Sequence, residues 1–284
     1  MLSRVPPVWL VVGGILSVQL GAGIAKNLFD DAAPLTLVWL RLATSAVVLT
    51  AVVRPNLRGR TQADWRVAVA FGVVLGTMNA AIYESFARIP LGIAVTIEFL
   101  GPLGLAVAGS RRARDLVWVS LAAIGVALLG IERGDLTVAG VAFALLAGAC
   151  WTAYILLSVS TGRRWPGLDG LTVASVIGAI VLAPLVAGLS GHGLGDLRVV
   201  VLGALVGLLS SVIPYSCEIT ALRSIRPSVF GILMSLEPAA AALAGIVVVH
   251  EFLSALQWLA VVCVIAASVG ATRSESRLAA PAPD

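Results

Sequence analysis

The sequence predicts an all-α integral membrane protein of ten transmembrane helices in two inverted five-helix repeats. Three observations carry that expectation: a composition too apolar for a soluble fold, a regular alternation of basic and non-basic loops, and an ordered correspondence between the halves of the chain. Hydrophobic residues make up 59% of the 284 and charged residues 12%, against about 45–50% and about 25% in soluble domains. So few polar residues cannot cover the core of a water-soluble fold.

A bilayer core about 30 Å thick takes roughly 20 apolar helical residues to cross. By that measure the spans fall near 8–26, 34–53, 66–86, 91–110, 116–131, 138–158, 170–189, 198–219, 228–249 and 256–272. Pro34, Pro90 and Pro227 mark the starts of the second, fourth and ninth, where a missing N–H costs nothing. The Ala-, Pro- and Ser-rich tail, 273–284, is expected to be disordered and cytoplasmic. The first run ends at Gly23-Ile24-Ala25, small residues that also suit signal-peptide cleavage, so removal of 1–25 is a rival reading. It is disfavoured because it deletes the first member of the repeat.

Loop charges orient the helices. One side collects Arg4; Arg54, Arg58, Arg60 and Arg66; Arg111, Arg112 and Arg114; Arg163 and Arg164; Arg223 and Arg226; Arg273 and Arg277. The other has Lys26, Arg88, Arg133 and Arg198. The positive-inside rule then puts both termini in the cytoplasm. A net charge of +4 scattered in such short clusters is not a continuous phosphate-binding patch, which argues against a nucleic-acid partner. Cys150, Cys217 and Cys263 lie inside apolar runs at unrelated spacings and read as packing residues, not as a metal site or a disulfide.

The halves correspond in order. Thr96-Ile97-Glu98 with Pro102 in the fourth span matches Ser235-Leu236-Glu237-Pro238 in the ninth. Trp118 and Gly130 in the fifth are separated as Trp258 and Gly270 are in the tenth, and both Glu-bearing spans follow a basic turn ending in proline. The repeats are expected over 1–136 and 137–272. With five spans each, the second copy must run inverted, and inverted repeats are a signature of alternating-access transporters.

A charge inside a bilayer is costly and marks a functional candidate. Glu98 and Arg41 each lie seven residues into their spans from the same side, about 10 Å deep, and Glu237 lies nine residues in from the other, about 13 Å. Arg41 has no basic counterpart in the seventh span, where Leu171 to Leu189 carries no charge. The functional reading has Arg41 hold a carboxylate while Glu98 or Glu237 holds an ammonium group or exchanges a proton. The competing reading makes Arg41–Glu98 a fixed ion pair and Glu237 a packing element. Gln19, Asn79, Tyr83, Tyr154 and Tyr215 are weaker candidates for a pocket wall; the three tyrosines, with Trp39 and Trp151, read more readily as packing residues or interfacial anchors. Pro214 is expected to free a carbonyl and kink the eighth span. Glu84 and Glu218, near span ends, are expected to reach headgroups or water.

At these residues the chain resembles a known family. PLGIAVTIEFLGPL (90–103), SRRARDLVWV (110–119) and LSSVIPYSCEITALRSIRPSVFGILMSLEPAAAAL (209–243) look like the drug/metabolite transporter superfamily, EamA type. LGAGIAKNLF (20–29), Arg41-Leu42 and AGACWTAYIL (147–156) are similar to its bacterial inner-membrane exporters of threonine and homoserine. The resemblance runs from about residue 8 to 272. It implies ten helices in two inverted repeats, no cofactor, and efflux of a small amino acid or related metabolite in exchange for protons. It carries no fixed site motif, so the site residues rest on the argument above. A drug or other metabolite exporter of the same fold is the nearest alternative. An intramembrane lipid enzyme is the distant one, since His192 and His250 lie far apart in or beside loops and no span is rich in Asp or His. The chain carries no P-loop for an ATP-driven pump.

Overall fold

The computed structural model describes residues 6–108, 115–129, 136–222, 224–225 and 227–276. Arg4, Arg111, Arg112, Arg114, Arg133, Arg223, Arg226 and Arg277 of the loop-charge pattern lie outside the described residues, as do Gly130 and 277–284.

The secondary structure of the described residues is helical throughout. The first half forms α1 (Pro7–Lys26), α2 (Pro34–Val53), α3 (Gln62–Phe86), α4 (Leu91–Glu98), α5 (Leu100–Ala108) and α6 (Asp115–Leu129). The second forms α7 (Val138–Gly162), α8 (Asp169–Leu185), α9 (Leu197–Gly207), α10 (Ile213–Leu222), α11 (Pro227–Met234), α12 (Glu237–Ala244) and α13 (Ala255–Ser276). Helix lies over every expected run, and α13 continues through Ser276, four residues into the expected tail. Eight helical stretches are long and apolar enough to cross a bilayer; Leu91–Leu105 and Leu116–Leu128 are apolar but shorter. Apolar side chains such as Val47, Val52, Val138, Leu197 and Val247 face outward, as helices sheathed by hydrocarbon require.

Local chemistry sets the ends and breaks. Pro34 occupies the first turn of α2, and Thr61 with Asp64 forms a reciprocal capping box on α3. The fourth run breaks at Phe99, and Pro102 supplies the reason: it has no N–H for the carbonyl of Glu98. Pro238 does the same to the carbonyl of Met234, where α11 stops short of α12. A π-helical turn, Leu208–Val212, joins α9 to α10 just before Pro214. Two more follow α8 and α12, at Val186–Ser190 and Gly245–Val249.

Packing relates the halves. α3 lies against α7 and α8; correspondingly, α1 lies against α9 and α10, and α2 against α9. α4 and α5 pack on α7 as α11 and α12 pack on α1, while α2–α8, α4–α12 and α6–α13 join matching helices of the two halves. Glycine permits the closest approaches. A methyl group at Gly101 would collide with the backbone of Gly148, and one at Gly92 would lie 2.6 Å from Cα of Ala242. α1, the segment a signal peptidase would remove, is part of this core, with Val11 and Ala25 fully buried.

Polar clasps close the two ends of the bundle. At one, Lys26 pairs with Glu251 at 2.5 Å and donates to the Ile89 carbonyl, while Glu251 accepts from the Leu91 N–H that opens α4. At the other, Arg164 pairs with Asp64 and Arg60 with Asp169, joining the α2–α3 connection to the α7–α8 connection.

Candidate functional site

One cavity, of about 150 Å³, gathers the polar interior of the bundle. Arg41, Glu98 and Glu237 all line it, together with Gln19, Asn79, Tyr154 and Tyr215. Trp151 lines it too, its ring edge-to-face with Phe99. Tyr83, the remaining sequence candidate, does not. It is fully buried behind the wall, where Arg41 lies 5.8 Å from its ring centroid, within cation–π range. Trp39 is likewise a packing residue, donating its indole N–H to the Ala179 carbonyl.

Helix geometry puts these groups in two layers. Gln19 and Asn79 lie seven residues before the ends of α1 and α3, and Arg41 and Glu98 seven residues after the starts of α2 and α4. At about 1.5 Å per residue, all four sit about 10 Å below the Lys26–Glu251 end. Tyr154, Tyr215 and Glu237 lie seven to ten residues from the opposite end of their spans. Val95 and Glu98 on one broken helix face Met234 and Glu237 on the other, with the same three-residue spacing.

The π turn holds Arg41. Pro214 has no N–H for the carbonyl of Ser210, and that carbonyl accepts from Arg41 Nη2 at 2.9 Å. Nε donates to Ser211 Oγ at 3.3 Å. The preceding carbonyl, Leu209, accepts from Ser17 Oγ at 2.6 Å. The kink expected at Pro214 is thus also an anchoring point for α1 and α2. The ion pairs of the described residues do not include Arg41, Glu98 or Glu237. Glu98 is 9% and Glu237 7% exposed, and neither carboxyl has a hydrogen-bonding side chain or backbone group among the described residues. The Arg41–Glu98 pair is therefore not closed in this structure.

Glu218 departs from expectation. It lines the cavity beside Tyr215 instead of reaching headgroups or water. Its position near a span end argued for the surface, but a π turn inserts one residue and rotates everything after it by about 100° around the helix axis. Glu84 pairs with Arg88 one turn along α3 and takes no part in the cavity.

A polar cavity walled by helices whose outer faces are apolar has the architecture of a membrane transporter. Comparison with known proteins agrees. Residues 138–273 match the EamA-like transporter family. Over 286 residues the chain is 40% identical to the threonine/homoserine exporter RhtA of Escherichia coli K12, covering 97% of this chain and 96% of that protein. The same exporter from Salmonella typhimurium LT2 is 40% identical over 278 residues, 95% and 94% of the two chains. A solved crystal structure shares the fold, with a TM-score of 0.66 and 18% identity over 96% of this chain and 99% of that one. The chain is a multi-pass membrane transporter, not an enzyme. It belongs to the EamA-like transporter family.

Proposed function

We propose that this protein is an inner-membrane secondary transporter that exports small amino acids of the threonine and homoserine kind in exchange for protons. The observation that carries the proposal is a cavity in which one guanidinium, Arg41, and two carboxyls, Glu98 and Glu237, have no ion-pair partner among the described residues. A zwitterionic amino acid supplies what they lack: a carboxylate for the planar guanidinium fork and an ammonium group for Glu98 or Glu237. The remaining carboxyl is then available to carry a proton. Forty per cent identity to exporters of threonine and homoserine along almost the whole chain supports the same substrate class.

The transport cycle follows from the proposed frame: ten crossings in two inverted five-helix repeats, 1–136 and 137–272, with both termini cytoplasmic. The packing exchange described above supports that frame: α3 on α7 and α8, and α4 and α5 on α7, have counterparts in α10 on α1, α9 on α2, and α11 and α12 on α1. Rocking one repeat against the other exposes a fixed site to either face in turn.

The nearest alternative within the same fold is export of a drug or larger metabolite. Reconstitution separates them. In proteoliposomes with an imposed pH gradient, labelled threonine and homoserine are expected to move against the proton flux and to exchange with unlabelled amino acid. Glu98→Gln and Glu237→Gln are expected to uncouple that movement from the gradient. Full proton-driven exchange in both variants defeats the coupling claim, and absence of amino-acid movement in the wild type favours the larger substrate.

A further inference from the structure

A small amino acid presents a carboxylate, an ammonium group and a side chain within one short molecule. Its carboxylate, ammonium and side chain are best met from one layer, and only the layer holding Gln19, Arg41, Asn79 and Glu98 has both a cation and an acid. With Arg41 on the carboxylate and Glu98 on the ammonium, two neutral amides remain for the side chain. Asn79 already donates its amide N–H to the Leu75 carbonyl at 2.8 Å. Gln19 is different. It is 3% exposed and lines the cavity, yet its Oε1 is buried with no hydrogen-bond partner among the described residues.

An acceptor stranded in this way loses about 1–3 kcal/mol unless a donor reaches it. Gln19 is also held close to the carboxylate anchor. Ser210 donates its hydroxyl to the carbonyl of Val18, one residue before Gln19, and accepts from Arg41 through its own carbonyl. The backbone just before Gln19 is therefore tied to the residue that positions the guanidinium.

We propose that Gln19 is the specificity-determining residue that accepts a hydrogen bond from the side-chain hydroxyl of a hydroxy amino acid bound between Arg41 and Glu98. The assignment rests on the amino-acid reading above and goes beyond it. It explains how a cavity of this size selects hydroxylated substrates from apolar ones of equal shape: an apolar isostere leaves Oε1 stranded, and a site built to bond a hydroxyl rejects the analogue that lacks one.

Threonine and valine are the deciding pair, since they differ by a hydroxyl in place of a methyl; serine and alanine serve as a second. Counterflow of each is measured in proteoliposomes for wild type, Gln19→Leu and Gln19→Met. The wild type is expected to favour threonine over valine. Both variants are expected to lower that ratio by about tenfold or more, the loss of one hydrogen bond worth about 1.4 kcal/mol. The change falls on threonine, while valine transport holds or rises. An unchanged ratio overturns the proposal. So does an equal loss of threonine and valine transport in both variants, which makes Gln19 a packing residue. Failure of the wild type to move any amino acid defeats the underlying transport reading instead, and is seen before any variant is compared.

Discussion

Each half of the chain sends a polar set into the same cavity, and the two sets differ in kind. The first half supplies one cation, two amides and one acid at a single depth: Arg41, Gln19, Asn79 and Glu98. The second supplies two phenols and two acids, Tyr154, Tyr215, Glu218 and Glu237, and, among the described residues, no cation. The scaffold is matched closely enough for the packing partners to exchange, yet the chemistry on it is not. On the proposed reading, the matched frame would let either end of the bundle open around the same point, and the unmatched lining would tell the two ends of a substrate apart.

Arg41 is the sharpest break in that matching, and its removal is expected to have the largest effect. Arg41→Met leaves a bound carboxylate without its charge partner, a loss of about 2–5 kcal/mol where such pairs are buried, or at least about thirtyfold in transport. Arg41→Lys is expected to recover only part of this, because an ammonium group cannot hold both the Ser210 carbonyl and Ser211 Oγ while presenting a planar fork. Counterflow of threonine against its decarboxylated amine is the measurement. The defect is expected for the amino acid and not for the amine. Wild-type threonine transport by Arg41→Met would remove the cation from the account, and with it the distinction between the layers.

Glu218 is expected to give a smaller effect, and it shows where sequence reasoning stopped. The membrane class, the helix positions and the common depth of Arg41 and Glu98 were all legible, because they depend on composition and on a constant rise per residue. Gln19 and Asn79 share that depth too, but their place in the same layer needs the helix ends that the structure supplies. Glu218 was hidden because regular 3.6-residue periodicity fails across Leu208–Val212. Ser210-Ser211 followed by Pro214 was the available warning, a site where backbone carbonyls seek new donors. The stranded Oε1 of Gln19 was not legible, since a sequence shows a polar group and not its missing partner. Glu218→Gln is expected to reduce proton-driven exchange by about tenfold, about 1.4 kcal/mol, with little change in counterflow at equal pH. Equal losses in both assays would make Glu218 part of the substrate contact and bring the two layers closer in function.

The last effects fall on stability, not on transport, and test the frame beneath both layers. In α7, Gly148 faces the carbonyl that Pro102 frees at Glu98; a methyl group there would lie 2.5 Å from that oxygen. Backbone cannot yield as a flexible side chain can, so Gly148→Ala is expected to separate α4 from α7 at a cost of about 1–3 kcal/mol. Gly104, one turn beyond the break, has nothing within 4 Å of the same added methyl. Gly104→Ala is therefore expected to be neutral, or stabilising by up to about 1 kcal/mol through helix propensity. Thermal unfolding of the two variants in detergent, read by tryptophan fluorescence, orders them directly. Equal melting temperatures would mean that α4 and α7 can part without cost. The break at Phe99 would then be set by Pro102 alone, and the close glycine contact would have no part in holding Glu98 at its depth in the cavity.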